Sequence, residues 1–195
     1  IKDIFDQYIF TLQPLFVGMS ENVTEENLQA RIRAMLLMAV SNKYGNILLN
    51  TSNKSEVAVG YGTLYGDVCG AISVLGDVYK TEVYRLAHFI NRDRIIVPLN
   101  TINKAPSAEL RPGQKDSDSL PPYEVLDQIL YEHIENGKGS TEIVELGFDA
   151  QMVENILRKV KFNEFKRRQA PPVLRVSRKA FGLGRKMPIV NGFSM

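Results

Sequence analysis

Residues 46–56 constrain the fold more than any other stretch, because the chain changes character there within a few positions. Ile47-Leu48-Leu49 is a short apolar run after Gly45, which suits a buried parallel strand. Asn50-Thr51-Ser52-Asn53 then turns polar, and a helical pattern starts near Lys54. A strand that feeds a helix in this way predicts an α/β fold, a parallel sheet with flanking helices. In open sheets of that kind, ligands bind just past the carboxyl ends of the strands. Thr51, Asn50, Asn53, Lys54 and Glu56 all fall in that place. Glu56 has a local role open to it as well, since Asn53-Lys54-Ser55-Glu56 reads as a capping box. One carboxylate can cap a helix and still face a ligand.

Helical periodicity precedes this junction. Ile4, Phe5, Tyr8, Ile9 and Leu12 recur at helical spacing, and Pro14 closes the run. Thr24 reads as the N-cap of a second helix, with Glu25 and Glu26 in the first turn where the helix dipole favours negative charge. Leu28, Ile32, Met35, Leu36 and Ala39 form its expected buried stripe, and Gly45 ends it. Asn27 and Arg31, four apart, share a face near its start. Spacing alone favours a solvated surface pair.

Between Glu56 and Lys80 stand Gly60, Gly62, Gly66, Gly70 and Gly76, in neither a Walker loop nor a dinucleotide fingerprint. They permit turns, or a close approach of backbone to a ligand or a second chain. Asp77 is a candidate cap for a helix over 81–91. Lys80 then sits near a positive helix end, which hints that it serves something anionic. Residues 94–98 read as a last short strand or extended segment, 104–110 as a kinked loop, and 111–122 as polar and mobile. Helices follow over 123–134, with Val125, Ile129 and Leu130 buried, and over 141–146 and 149–161. His88 and His133 lie in separate helices without a Cys or acid at ligand spacing, so they read as ordinary surface or half-buried histidines.

At 195 residues the chain is one domain, or one and a half. No apolar run approaches the roughly 20 residues of a membrane span. The N-terminus lacks a basic region with a cleavage site, and a start at Ile1 suggests a fragment. The single cysteine, Cys69, excludes an internal disulfide and a cysteine zinc cluster, and fits a reducing cytoplasm. Charge is unevenly spread. Residues 158–195 hold 11 Lys or Arg against one acid, Glu164, while the first 157 hold 13 bases and 21 acids. That asymmetry points to an anionic partner for the tail: a phosphate ligand, nucleic acid, or an acidic neighbouring subunit.

Five motifs in order connect these parts. They are Glu26-Asn27-Leu28-Gln29-Ala30-Arg31-Ile32-Arg33, Asn50-Thr51-Ser52-Asn53-Lys54-Ser55-Glu56, Leu75-Gly76-Asp77-Val78-Tyr79-Lys80, Lys104-Ala105-Pro106-Ser107-Ala108-Glu109-Leu110 and Phe165-Lys166-Arg167-Arg168-Gln169-Ala170-Pro171-Pro172. Together they resemble the NAD synthetase family, ATP pyrophosphatases that amidate nicotinic acid adenine dinucleotide. The resemblance implies that Thr51 contacts ATP, and that Lys80 and Ser107 face its phosphates. It implies that Asn27, Arg31, Glu56 and Lys166 contact the dinucleotide, and that Glu56 also sits at a magnesium ion. Lys80 and Glu56 are thus the implied catalytic pair, with ATP and Mg2+ as cofactors and an oligomer, at least a dimer, as the assembly.

In the family's reaction the nicotinate carboxylate attacks the α-phosphate of ATP, and ammonia displaces AMP from the acyl-adenylate. Leu64, Ala71 and Ser107 stand where ammonia-dependent members have Lys, Asp and Thr, so the pattern looks closer to the glutamine-dependent branch, fed with ammonia by a glutaminase domain. The family's pyrophosphate loop, Ser-Gly-Gly-x-Asp-Ser, is not in this sequence. The implied fold is therefore an adenine-nucleotide α-hydrolase-like sheet without its N-terminal strands, in a C-terminal portion that is inactive alone. The implied division is an incomplete nucleotide-binding core over 1–110, a mobile loop over 111–122, and C-terminal helices with a basic tail over 123–195 of the same domain. The alternatives are another ATP pyrophosphatase, of GMP synthetase or tRNA-modifying type, or a non-catalytic module. In the latter case the basic tail would bind nucleic acid, which its few aromatics disfavour, or the chain would serve dimerisation.

Overall fold

The computed structural model describes residues 1–190 and 192. Helix α1 (Lys2–Leu12) passes through a 3-10 turn at Gln13–Leu15 and packs on α2 (Val23–Tyr44). The N-cap of α2 is Asn22 rather than Thr24. Asn22 Oδ1 accepts from the Thr24 amide at 2.8 Å, and Glu25 returns the bond to the Asn22 amide at 2.7 Å. Gly45 ends the helix at φ +69° as expected. The expected buried stripe is only partly correct: Ala30, Ile32 and Ala34 are buried, whereas Met35 and Leu36 are 64% and 43% exposed. Residues 34–40 are apolar on every side, so periodicity could not select the packed face.

Strand β1 (Leu49–Asn50) pairs in parallel with β2 (Ile72–Ser73), Leu49 opposite Ile72 and Asn50 opposite Ser73. Ser73 continues the ladder through a parallel bridge to Val173. Strand β1 begins later than expected and is not a buried apolar strand, because Ile47 is 70% and Leu49 52% exposed. Only two strands pair among the described residues, too few to cover both faces. Its buried residue is Asn50, whose amide group donates to Asp67 O at 2.7 Å and accepts from Ser73 Oγ at 2.9 Å. Helix α3 (Lys54–Val59) follows at once and ends at Gly60, whose φ of +69° and close approach to the Asn163 side chain leave no room for a Cβ.

Helix α4 (Lys80–Ile90) begins one residue before the expected start, and Asp77 does not cap it. Asp77 instead accepts from the Val176 and Ser177 amides and pairs with Lys54 Nζ at 2.8 Å. The first amides of α4 go to other partners: Lys80 N to Ser55 Oγ and Thr81 N to Asp127, both at 2.9 Å. Residues 94–98 form no strand; Asn91 pins them as a loop through bonds to Ile96 and Val97. The unanticipated α5 (Leu99–Asn103) comes next.

The segment 111–122 packs through a 3-10 turn at Asp116–Asp118, with Asp116 and Leu120 buried. It leads into α6 (Tyr123–Ile134), α7 (Ser140–Glu145), α8 (Ala150–Phe162) and α9 (Glu164–Arg167). Ile129 and Leu130 are fully buried and Val125 half-buried. The core lies among helices, joining Ala58 and Val59 of α3 to Leu126, Ile129 and Leu130 of α6 and Val153, Leu157 and Val160 of α8. The architecture is thus helix-rich α/β with a small parallel sheet. Among the described residues, no helix is long and apolar enough to cross a membrane.

Candidate functional site

A cleft of about 650 Å³ opens where the start of α2, the turn after β1, the glycine-rich run and the 107–116 loop meet. Asn27, Thr51, Glu56, Lys80, Ser107 and Lys166 all line it, although they are spread over 140 positions of sequence. Arg31 does not join them. It lines a neighbouring groove with Met35 and Tyr65, and its Nε donates to Leu64 O at 3.2 Å.

Glu56 caps α3 and also lines the cleft. Its Oε2 accepts from the Asn53 amide at 3.2 Å while the Glu56 amide donates back to Asn53 Oδ1 at 3.0 Å, closing the capping box. Its Oε1 stands 3.3 Å from Lys80 Nζ at the cleft wall. Burial pushes the Glu56 carboxyl up, and the Lys80 charge and the Asn53 amide only partly offset it. The start of α4 fixes Lys80, and its ammonium also lies 5.4 Å from the Tyr123 ring centroid and 5.9 Å from that of Tyr84.

Thr51 is exposed just past the carboxyl end of β1, where an open parallel sheet receives its ligand. Asn27 Oδ1 accepts from Thr63 Oγ1 at 2.7 Å. The Ser107 hydroxyl shapes its own loop, donating to Gln114 O and accepting from the Glu109 amide. Lys166 reaches back across the chain and donates to Gly60 O at 2.8 Å and Gly62 O at 3.0 Å, holding the glycine-rich turn beside the cleft. Burial lowers its ammonium from the usual lysine range.

The sequence reading missed Tyr61, Asp116 and Arg33, which also line the cleft. Asp116 is 5% exposed. Its Oδ2 accepts from Tyr123 Oη at 2.7 Å. Burial and the Asp116 charge push the Tyr61 phenol up to about 12. Asp116 stands in a polar stretch without period, so no local pattern marks it. Behind the turn after β1, fully buried Lys54 pairs with Asp77 and Glu135 and donates to Ser177 Oγ at 2.8 Å. Burial would raise the Asp77 carboxyl, but bonds from Lys54, Ser177 and Val176 outweigh it and hold the group below the usual carboxylate range.

The cleft lining holds the cations Arg33, Lys80 and Lys166 with the hydroxyls of Thr51 and Ser107, and also the carboxylates of Glu26, Glu56, Asp67, Glu109 and Asp116. The cations at a strand end suit a ligand carrying phosphates, and the acids suit its attendant cation. The glutamine-dependent NAD(+) synthetase of Thermotoga maritima is 50% identical over 195 residues, 99% of this chain and 34% of that protein. The solved structure of the glutamine-dependent NAD+ synthetase of Acinetobacter baumannii, in complex with ADP, is 44% identical with a TM-score of 0.52, covering 98% of this chain and 34% of that one. An NMN synthetase from Francisella tularensis is 26% identical with a TM-score of 0.63, covering 98% of this chain and 64% of that one. The chain thus spans about a third of the length of the curated relatives it matches. The sequence model of NAD synthase matches residues 1–170, and the chain belongs to that family.

Proposed function

We propose that this chain is the C-terminal part of a glutamine-dependent NAD synthetase, which amidates nicotinic acid adenine dinucleotide with ATP through an acyl-adenylate. The observation that carries the reading is the convergence of Asn27, Thr51, Glu56, Lys80, Ser107 and Lys166 on one cleft. Thr51, Lys80 and Ser107 bind ATP, and Asn27, Arg31, Glu56 and Lys166 bind the dinucleotide. Two polyanions and a carboxylate must meet, and Lys80 and Lys166 lower the repulsion between them. No side-chain nucleophile is required; positioning and charge neutralisation supply the rate.

Mg2+ fits on the chemistry of its donors. Among the described residues no cluster of three His, Cys, Asp or Glu exists, but Mg2+ is commonly held by one carboxylate together with ligand phosphates, and Glu56 supplies that carboxylate. When bound, the ion neutralises phosphate charge. The fold reading is an adenine-nucleotide α-hydrolase-like sheet whose remaining strands and phosphate loop come from elsewhere in the protein, with ammonia from a glutaminase domain. A cytoplasmic, at least dimeric enzyme completes the proposal. The test is an assay of the full-length protein with ATP, Mg2+, glutamine and nicotinic acid adenine dinucleotide. NAD, AMP and pyrophosphate in equal amounts are expected, and no activity from residues 1–195 alone. Turnover only with nicotinic acid mononucleotide would favour a second reading, supported by the likeness to an NMN synthetase.

A further inference from the structure

Lys80 meets the cleft from between two aromatic rings, neither of which lines the cleft itself. Its Nζ lies 5.4 Å from the Tyr123 centroid and 5.9 Å from that of Tyr84, both within the range where a ring face attracts a cation. Tyr123 is 8% exposed and is not among the cleft-lining residues. Its hydroxyl donates to the Asp116 carboxylate at 2.7 Å, which fixes the far end of the ring beneath Lys80. The same carboxylate also acts on Tyr61, whose phenol its charge and hydrogen bonding help to push up. The pair with Glu56 is loose at 3.3 Å and partly exposed, and alone does not fix a flexible four-carbon side chain.

We propose that Tyr123, anchored by Asp116 and assisted by Tyr84, is the positioning residue for Lys80: its ring face holds the ammonium at the place where Lys80 meets phosphate. This deepens the functional reading above and rests on it for the role of Lys80. When a ligand's phosphates draw Lys80 away from Glu56, the ring contact remains and keeps the ammonium in the cleft. Asp116 lines the cleft as well, but it acts on Lys80 through Tyr123.

The test uses the full-length protein with Tyr123 replaced by Phe, then by 4-fluoro-, 3,5-difluoro- and 3,4,5-trifluorophenylalanine. This series empties the ring face of electron density at nearly constant volume. Two quantities are read: the rate at which acetic anhydride modifies Lys80, by mass spectrometry, and kcat/KM for ATP. The first does not depend on activity. Stepwise change across the series is expected, reaching about tenfold, with Lys80 modified faster and kcat/KM for ATP lower. The KM for the dinucleotide is expected to stay constant. A flat series in Lys80 modification overturns the proposal whatever the activity, because a merely structural ring tolerates fluorine. Wild-type protein without NAD formation overturns the functional reading alone, and the modification series still decides this one. Should Tyr123→Phe fail to fold by its melting curve, 3-fluoro- and 3,5-difluorotyrosine at position 123, which keep the hydroxyl, are read in its place, and flatness there overturns the proposal.

Discussion

Glu56 carries two duties that substitution can separate. Gln preserves the reciprocal bond to the Asn53 amide, so Glu56→Gln should leave stability within about 0.5 kcal/mol while removing the charge at the cleft. Glu56→Ala removes both and should cost about 1 kcal/mol more. Urea midpoints alongside NAD formation in the full-length protein check this. Full NAD formation in Glu56→Gln would make the carboxylate purely a cap. Lys54 gives the complementary case. Lys54→Met leaves Asp77 and Glu135 buried without their shared cation and should cost about 3–5 kcal/mol. Asp77 titrates below its unfolded value, so its stabilisation is fully present above the unfolded carboxylate range. It is lost as pH falls through the folded value, and Asp77→Asn should flatten the acid limb of stability against pH. The cap at Glu56 was legible because its partner lies three residues away. The burial of Lys54 was not, because its partners lie at 77, 135 and 177.

At the scale of elements, one buried carboxylate ties three helices together. Asp127 of α6 accepts from Ser55 Oγ of α3 and from the Thr81 amide and hydroxyl of α4. The start of α4, and with it Lys80, is therefore placed from α6 rather than by the nearby Asp77. Asp127→Ala strips three donors of their partner and should lower stability by about 2–3 kcal/mol. It should also lower kcat/KM for ATP more than that for the dinucleotide, because the displaced element carries Lys80. Equal losses for both substrates would mean that Asp127 only stabilises. Helices α6 and α8 were readable because their apolar positions recur on one face and that face is the core. The later half of α2 was not, since a helix apolar all round offers no period to read. Strand β1 failed for a related reason: its apolar residues are exposed and its buried residue is an asparagine.

Across the whole molecule, the basic tail reads differently once folded. Its charge asymmetry suggested an anionic partner, yet several of its cations are spent on the chain itself. Arg167 is 9% exposed. Its guanidinium donates to Ala58 O at 2.6 Å, to Val160 O, and to Glu164 at 3.1 Å. Arg168 also pairs with Glu164, at 3.0 Å, and Arg185 meets the half-buried His133 at 3.2 Å. These contacts bind the tail to α3, α6 and α8, and place Lys166 of α9 beside Gly60 at the cleft. Charge counting reads how many cations a segment holds and is blind to their direction. Arg167→Lys discriminates the two meanings. If the tail's charge served a solvent-borne anion, a lysine would retain most of the effect. A buried fork of donors cannot be matched by a single ammonium, so Lys should cost about 2–3 kcal/mol, close to the loss in Arg167→Met. Parallel urea titrations of the two variants decide it, and a lysine variant as stable as the wild type would return the tail to the role of an anion-binding surface.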